Sequence, residues 1–274
     1  MRVFISADME GISGVVHPVQ LSPTGADYLR GRQLQTGDVN AAVEGALKAG
    51  ATEVVVNDSH WVQRNILIEE LHPRARLVSG STKALGMVQG VEGSDLACFV
   101  GYHAKHGTPY ALADHTWSAG CLSDLRIDGD SVGETALNAF LCGYFGVPVG
   151  MLSGDQALEA EAKGLLPLAH VAVVKRSTGR WAADCLSLED SHQLIRECTA
   201  SAVREAASFE PLPPPQPCSM EIDLMLTDMA DRAEAIPGVT RRGGRTVCYE
   251  AEDILAAFDY FRTVMNVAAL YTEF

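Results

Sequence analysis

Short apolar runs of β type alternate along most of the chain with longer segments of helical period. Val3 to Ala7, Thr52 to Val56, Leu96 to Val100, Val147 to Leu152 and Val171 to Val174 read as strands, with a further short one at Leu77 to Ser79. Helices are predicted between them. Tyr28 to Ala49 has a small-residue face of Leu34, Ala41, Ala42, Gly45 and Ala46, and Gly50 is its expected stop; Val132 to Phe145 takes Asp130 or Ser131 as its N-cap; Gln156 to Lys163 and Ser191 to Ala206 follow. Strands separated by helices imply βαβ units. The chain is therefore predicted to be α/β, with a largely parallel sheet flanked by helices.

The pattern breaks at 211–217, where five of seven residues are proline, a stiff extended connector that suits no element interior. Beyond it the tail reads as strand (Glu221 to Leu226), helix (Asp228 to Ala235), a Pro237-Gly238 turn, strand (Arg245 to Glu250) and a helix from Ala251 to about Leu270. The expected organisation is an α/β region over 1–210 that carries the chemistry, the connector, and a smaller α+β part over 218–274. No internal repeat is visible.

With 274 residues and 47% apolar positions the chain can bury a sizeable core, and no apolar run has the length of a membrane span. Its opening lacks a basic stretch followed by an apolar one, so a cytoplasmic location is expected. Lys and Arg total 21 against 35 Asp and Glu, a formal charge of −14, which argues against nucleic acid or an anionic membrane as partner. Seven widely spaced cysteines without a Cys-x-x-Cys pair form neither a disulfide framework nor a thiolate zinc site.

Open α/β sheets bind ligands outside the carboxyl ends of their strands, and there the chain gathers acids and imidazoles. Asp8 and Glu10 follow the first strand, two apart, so in extended backbone both carboxylates face one side. His60 closes Asn57-Asp58-Ser59-His60 after the second strand, and His103 closes Gly101-Tyr102-His103 after the Leu96 strand. Glu134 sits in the first turn of a predicted helix, where the dipole favours a carboxylate for stability alone. Two imidazoles and three carboxylates suit zinc or a pair of first-row ions better than calcium, and five ligands fit two ions sharing one carboxylate. His115, beside Asp114 in a loop, is a candidate acid, base or nucleophile next to such a site. Phosphate-binding, dinucleotide-binding, His-Glu-x-x-His and Gly-x-Ser-x-Gly motifs are absent.

These segments resemble the M55 family of zinc D-aminopeptidases, the DppA-like proteins of bacterial dipeptide-transport operons. The resemblance rests on Ser6-Ala7-Asp8-Met9-Glu10-Gly11-Ile12-Ser13-Gly14, Val56-Asn57-Asp58-Ser59-His60, Gly101-Tyr102-His103-Ala104, Asp114-His115 and Val132-Gly133-Glu134-Thr135-Ala136-Leu137-Asn138-Ala139, and runs the length of the chain. It implies two zinc ions per subunit held by Asp8, Glu10, His60, His103 and Glu134, with Asp8 bridging, and His115 as catalytic residue. It also implies short D-amino-acid-containing peptides, such as D-Ala-D-Ala, as substrates, and a homodecamer of two stacked pentameric rings. One position departs from the family pattern: Asp114 stands where Ser precedes the histidine, and an adjacent carboxylate would favour an imidazolium and an acid/base role. Two other functions stay open at this point. One is a metal-dependent phosphoesterase or amidase, for which Lys105 and the Lys175-Arg176 pair could serve phosphate; the other is a non-catalytic peptide-binding protein with structural zinc.

Overall fold

The computed structural model describes residues 1–271; the last three positions of the 218–274 part lie outside the described residues. In chain order the elements are β1 (Arg2–Ala7), α1 (Tyr28–Lys48), β2 (Glu53–Asp58), β3 (Ala75–Val78), β4 (Leu96–Val100), β5 (Leu122–Ile127), β6 (Asp130–Val132), α2 (Glu134–Tyr144), β7 (Val149–Asp155), α3 (Gln156–Leu165), β8 (His170–Gly179), β9 (Ala182–Cys185), α4 (Leu188–Arg204), β10 (Cys218–Leu224), α5 (Thr227–Ala233), β11 (Thr240–Arg241), β12 (Thr246–Ala251) and α6 (Ile254–Ala268).

The predicted α/β architecture is present. A seven-stranded sheet has the order β3-β2-β1-β4-β7-β8-β9, with all neighbours parallel except the β8–β9 hairpin. From β1 the chain winds outward through β2 and β3, then returns to lay β4 on the other side of β1. The strand order reverses there, opening a crevice at the carboxyl ends of β1 and β4. Alternate residues of the strands feed two cores. Val3, Ile5, Val54 and Val56 pack toward α1 and α4, while Phe4, Val55, Ala97 and Phe99 join a second cluster on the opposite face. Gly45 makes the α1–α4 contact possible, because a Cβ there would lie 2.4 Å from the Arg196 carbonyl.

A second sheet, order β11-β12-β10-β5-β6, is antiparallel and takes strands from both sides of the proline connector. Its apolar face shares one core with α2 and α6 and with the large sheet, through Leu122, Leu125, Leu137, Met220, Ile222, Phe258 and Phe261. The β5–β6 hairpin also corrects the start predicted for the helix at Val132. Asp128 and Gly129 have φ of 51° and 91°, the left-handed pair that turns a tight hairpin. Asp130 to Val132 then pair with Leu125 to Ile127, so neither Asp130 nor Ser131 is the cap; that place belongs to Gly133, and Glu134 is the first helical residue.

Candidate metal centre

Asp8 leaves the end of β1 with its N–H donated to the Val100 carbonyl (2.8 Å), and the Ser59 N–H likewise bonds Ala7 (2.8 Å). Parallel register thus carries Asp8, the segment before His60 and the segment before His103 to one edge of the sheet. The 8–14 loop folds across the end of β4, where Gly11 approaches so closely that a Cβ would stand 1.9 Å from the Tyr102 carbonyl. Lys175, from β8, clamps this loop from beneath. Its buried ammonium donates to the carbonyls of Glu10 (2.6 Å), Ile12 (2.9 Å) and Val15 (2.7 Å), one for each N–H. Burial without a contacting carboxylate pushes its pKa down to about 8. Asp38 of α1, fully buried, accepts from the N–H and hydroxyl of Ser13 at 2.9 Å each.

The structure brings together all six residues singled out from the sequence, in two linked groups. Nδ1 of His60 lies 3.3 Å from Asp8 Oδ1 and 3.0 Å from Glu10 Oε2. Nε2 of His103 lies 3.4 Å from Asp8 Oδ2 and 3.5 Å from Glu134 Oε1. Asp8 therefore offers one oxygen to each group. His115 stacks on His103 with ring centroids 4.2 Å apart and has Nε2 3.7 Å from Glu134 Oε1. The five predicted ligands are at most 6% exposed, whereas the His115 side chain is 16% exposed and faces a cavity.

Each imidazole is oriented by a backbone carbonyl. His60 Nε2 meets Leu21 O (3.1 Å), His103 Nδ1 meets Ala104 O (3.0 Å), and His115 Nδ1 meets Ala113 O (2.9 Å). A carbonyl only accepts, so each of these nitrogens carries a hydrogen, and in the neutral ring the lone pair sits on the nitrogen facing the carboxylates. Glu10 Oε2 and His103 Nε2 are buried without a hydrogen bond, the former despite His60 Nδ1 at 3.0 Å. Buried lone pairs that converge without a donor are what a cation site presents. Ligand atoms of Asp8, Glu10 and His103 lie within 4.8 Å of one another, as do those of His103, His115 and Glu134. The mixed nitrogen and oxygen donors suit zinc.

Electrostatics agree with that chemistry. Burial alone would raise the Glu10 carboxyl, but the facing His60, with His115 and His103 beyond it, holds it well below the usual carboxylate range. Burial likewise opposes the shift at Glu134, where His103 and then His115 hold the carboxyl down. His60 and His103 would be lowered by burial, yet Glu10 and Asp8 raise the former, and Glu134 and Asp8 the latter, well above the ordinary imidazole value. Three buried carboxylates thus attract positive charge into the site.

The Asp114 carboxylate is engaged away from His115. Its carboxylate accepts from the Gly107 N–H (2.7 Å) and from Arg180 Nε (2.8 Å), and Arg180 also donates to its carbonyl (3.0 Å). Among the ion pairs of the described residues none joins Asp114 to His115. The acid instead ties the His115 loop to the β8–β9 turn. Ala113 and Trp117, flanking His115, are held at φ of 50° and 60°. Trp117 donates its N–H to Glu134 Oε1 (2.6 Å) and wedges its ring against Phe258 and Phe261 of α6. The clamping roles of Lys175, Arg180 and Trp117 escaped sequence reasoning, since their partners are remote in the chain.

A cavity of about 720 Å³ opens over these side chains, bordered also by Trp61, Trp181, Lys83, Arg180 and Arg262. Lys105 and Lys175 serve elsewhere. The former binds the Ser131 carbonyl and hydroxyl and the latter the loop after β1, which removes the support that the phosphoesterase reading drew from these two lysines. No helix of the described residues is long and apolar enough to cross a membrane.

A crevice at the switch point of an α/β sheet, lined by buried carboxylates and oriented imidazoles, is the site of a metal-dependent hydrolase. The chain belongs to peptidase family M55, whose model, described as D-aminopeptidase, matches residues 1–263. It is 37% identical over 276 residues to the D-aminopeptidase of Bacillus subtilis (strain 168), covering 100% of both chains. It also superimposes, with a TM-score of 0.96, 36% identity and full coverage of both chains, on Zn-dependent D-aminopeptidase DppA from Bacillus subtilis, described as a self-compartmentalizing protease.

Proposed function

We propose that the chain is a zinc-dependent aminopeptidase releasing the N-terminal residue of short peptides that carry a D-amino acid at that end. In this reading Asp8, Glu10, His60, His103 and Glu134 would hold two zinc ions, Asp8 being placed to serve both. The observation that carries it is the division of the Asp8 oxygens, Oδ1 toward His60 and Oδ2 toward His103. When bound, zinc supplies Lewis-acid polarisation of a peptide carbonyl and lowers the pKa of water.

The protein's own groups do the rest. His115, with Nδ1 committed to Ala113, has its Nε2 free to take up a proton and return it to the departing amine. Glu134, 3.7 Å away, offsets the charge when that ring is protonated. Lys83, Arg180 and Arg262, each held by protein oxygens, give the cavity wall a positive charge that favours the carboxylate end of a short peptide. The preference for D-residues is drawn from the family description and the relatives. A cytoplasmic homodecamer of two pentameric rings is proposed with it, supported by the self-compartmentalizing relative.

A matched panel of D- and L-dipeptides, assayed with metal analysis on the same sample, tests this reading. D-Ala is expected to be released from D-Ala-D-Ala, the activity to vanish with chelator and to return with zinc. Preferential cleavage of the L-series, or activity indifferent to chelator, would contradict it.

A further inference from the structure

Beneath the metal site one buried cluster of hydroxyl and amide groups joins the segments that carry the ligands. Ser6 Oγ lies 2.7 Å from Tyr102 OH, 2.8 Å from Ser59 Oγ and 2.7 Å from the Met87 carbonyl. Tyr102 OH in turn lies 3.1 Å from Asn138 Nδ2. Ser6, Tyr102 and Asn138 are wholly inaccessible and Ser59 nearly so. Each member stands beside a different proposed ligand. Ser6 precedes Asp8 by two residues, Ser59 precedes His60, Tyr102 precedes His103, and Asn138 follows Glu134 by four along α2. All four recur in the sequence motifs, yet none is used by the hydrolytic chemistry.

The Met87 carbonyl accepts from Ser6 Oγ and from Asn57 Nδ2 (2.7 Å), and Ser59 Oγ lies 3.1 Å from the same oxygen and 3.2 Å from the Asn57 carbonyl. With its hydrogen on Met87, Ser6 accepts from Tyr102, which in turn accepts from Asn138, while the single Ser59 hydrogen is shared among Ser6, Met87 and Asn57. The result is a connected network from Asn138 through Tyr102 and Ser6 to Met87, joined by Ser59 just past the end of β2. Its low-dielectric surroundings strengthen each link and make the loss of any one costly to its neighbours.

We propose that this cluster, centred on Ser6 and Tyr102, is a positioning unit that sets the spacing of the four ligand-bearing segments and thereby the affinity for zinc. It rests on the assignment of the five ligands given above. Four segments that are remote in sequence meet at two hydroxyl groups, so a change at either is transmitted to Asp8, His60, His103 and Glu134 together. The effect is indirect, in the manner of partners that orient metal ligands from behind.

Tyr102→Phe is the cleanest probe, because the ring stays stacked on Phe99 with centroids 4.5 Å apart and only the hydroxyl is lost. Ser6→Ala removes the centre, and Ser59→Ala serves in its place should either variant fail to fold. Thr199→Ala is the control, deleting a buried hydroxyl that, among the described residues, bonds the Ile195 carbonyl within α4 at 2.8 Å. Zinc affinity is read by competition with a chromogenic chelator, and ligand geometry by the visible spectrum of the cobalt-substituted protein. Tyr102→Phe and Ser6→Ala are each expected to weaken zinc binding about 10- to 100-fold and to change the cobalt spectrum. The double variant is expected to lose little more than the worse single one, because the groups act as a unit. Thr199→Ala is expected to bind zinc as the wild type does. Unchanged affinity and spectrum in both cluster variants, or an equal loss in Thr199→Ala, would overturn the positioning unit alone. A wild-type protein that takes up no zinc would overturn the ligand assignment as well.

Discussion

Asp8→Ala is expected to lose bound zinc and with it at least about a thousandfold in kcat, since metal polarisation contributes several kcal/mol and each 1.4 kcal/mol is tenfold in rate. The reason lies in the shared position of this one carboxylate. It lies 3.3 Å from His60 and 3.4 Å from His103, so its removal opens both groups of ligands at once. Substitution of Glu10 or Glu134, each in one group, leaves the other group its own carboxylate. Zinc content by mass spectrometry of the purified variant, with turnover of a D-alanyl substrate, checks the expectation. Retention of full zinc content and activity would remove Asp8 from the centre of the site.

The second large effect is expected at His115, and it has the opposite signature. His115→Ala should keep its zinc and lose about 10²- to 10⁴-fold in kcat, the range of positioned acid–base groups, with KM little changed. Its side chain is the more open one, its Nδ1 is fixed by Ala113, and its Nε2 is directed to the cavity beside Glu134. Because that nitrogen also lies within ligand reach of His103 and Glu134 partners, the metal content of the variant matters as much as its rate. Loss of zinc would make His115 a ligand, and an unaffected rate would remove it from the chemistry.

The two groups of residues differ in how far the sequence reveals them. Asp8, Glu10, His60 and His103 were legible because each follows an apolar run, and the carboxyl end of a parallel strand is where such a sheet opens. Glu134 was harder, since the segment before it is not helix but the second arm of a hairpin turned by Asp128-Gly129, and its place at the crevice depends on α2 packing across the sheet. For His115 no periodicity exists to read. Its position is set by Arg180, which holds the neighbouring Asp114 from a hairpin turn 66 residues further on, and by Trp117 lodged against α6. Lys175 was legible only as half of a basic pair just after a predicted strand; that its ammonium serves three carbonyls some 160 residues earlier is a property of the fold. The same holds for strands β5, β6, β9 and β11, whose short or polar segments carry little alternation and owe their pairing to neighbours. Sequence adjacency to His115 likewise gave no information about which way the Asp114 carboxylate points.

Anomalous scattering at the zinc edge from crystals of the zinc-loaded protein tests the central claim most directly. Two peaks about 3.5 to 4 Å apart are expected, one among Asp8, Glu10 and His60 and the other among Asp8, His103 and Glu134. A single peak, or zinc bound away from Asp8, would contradict the dinuclear centre.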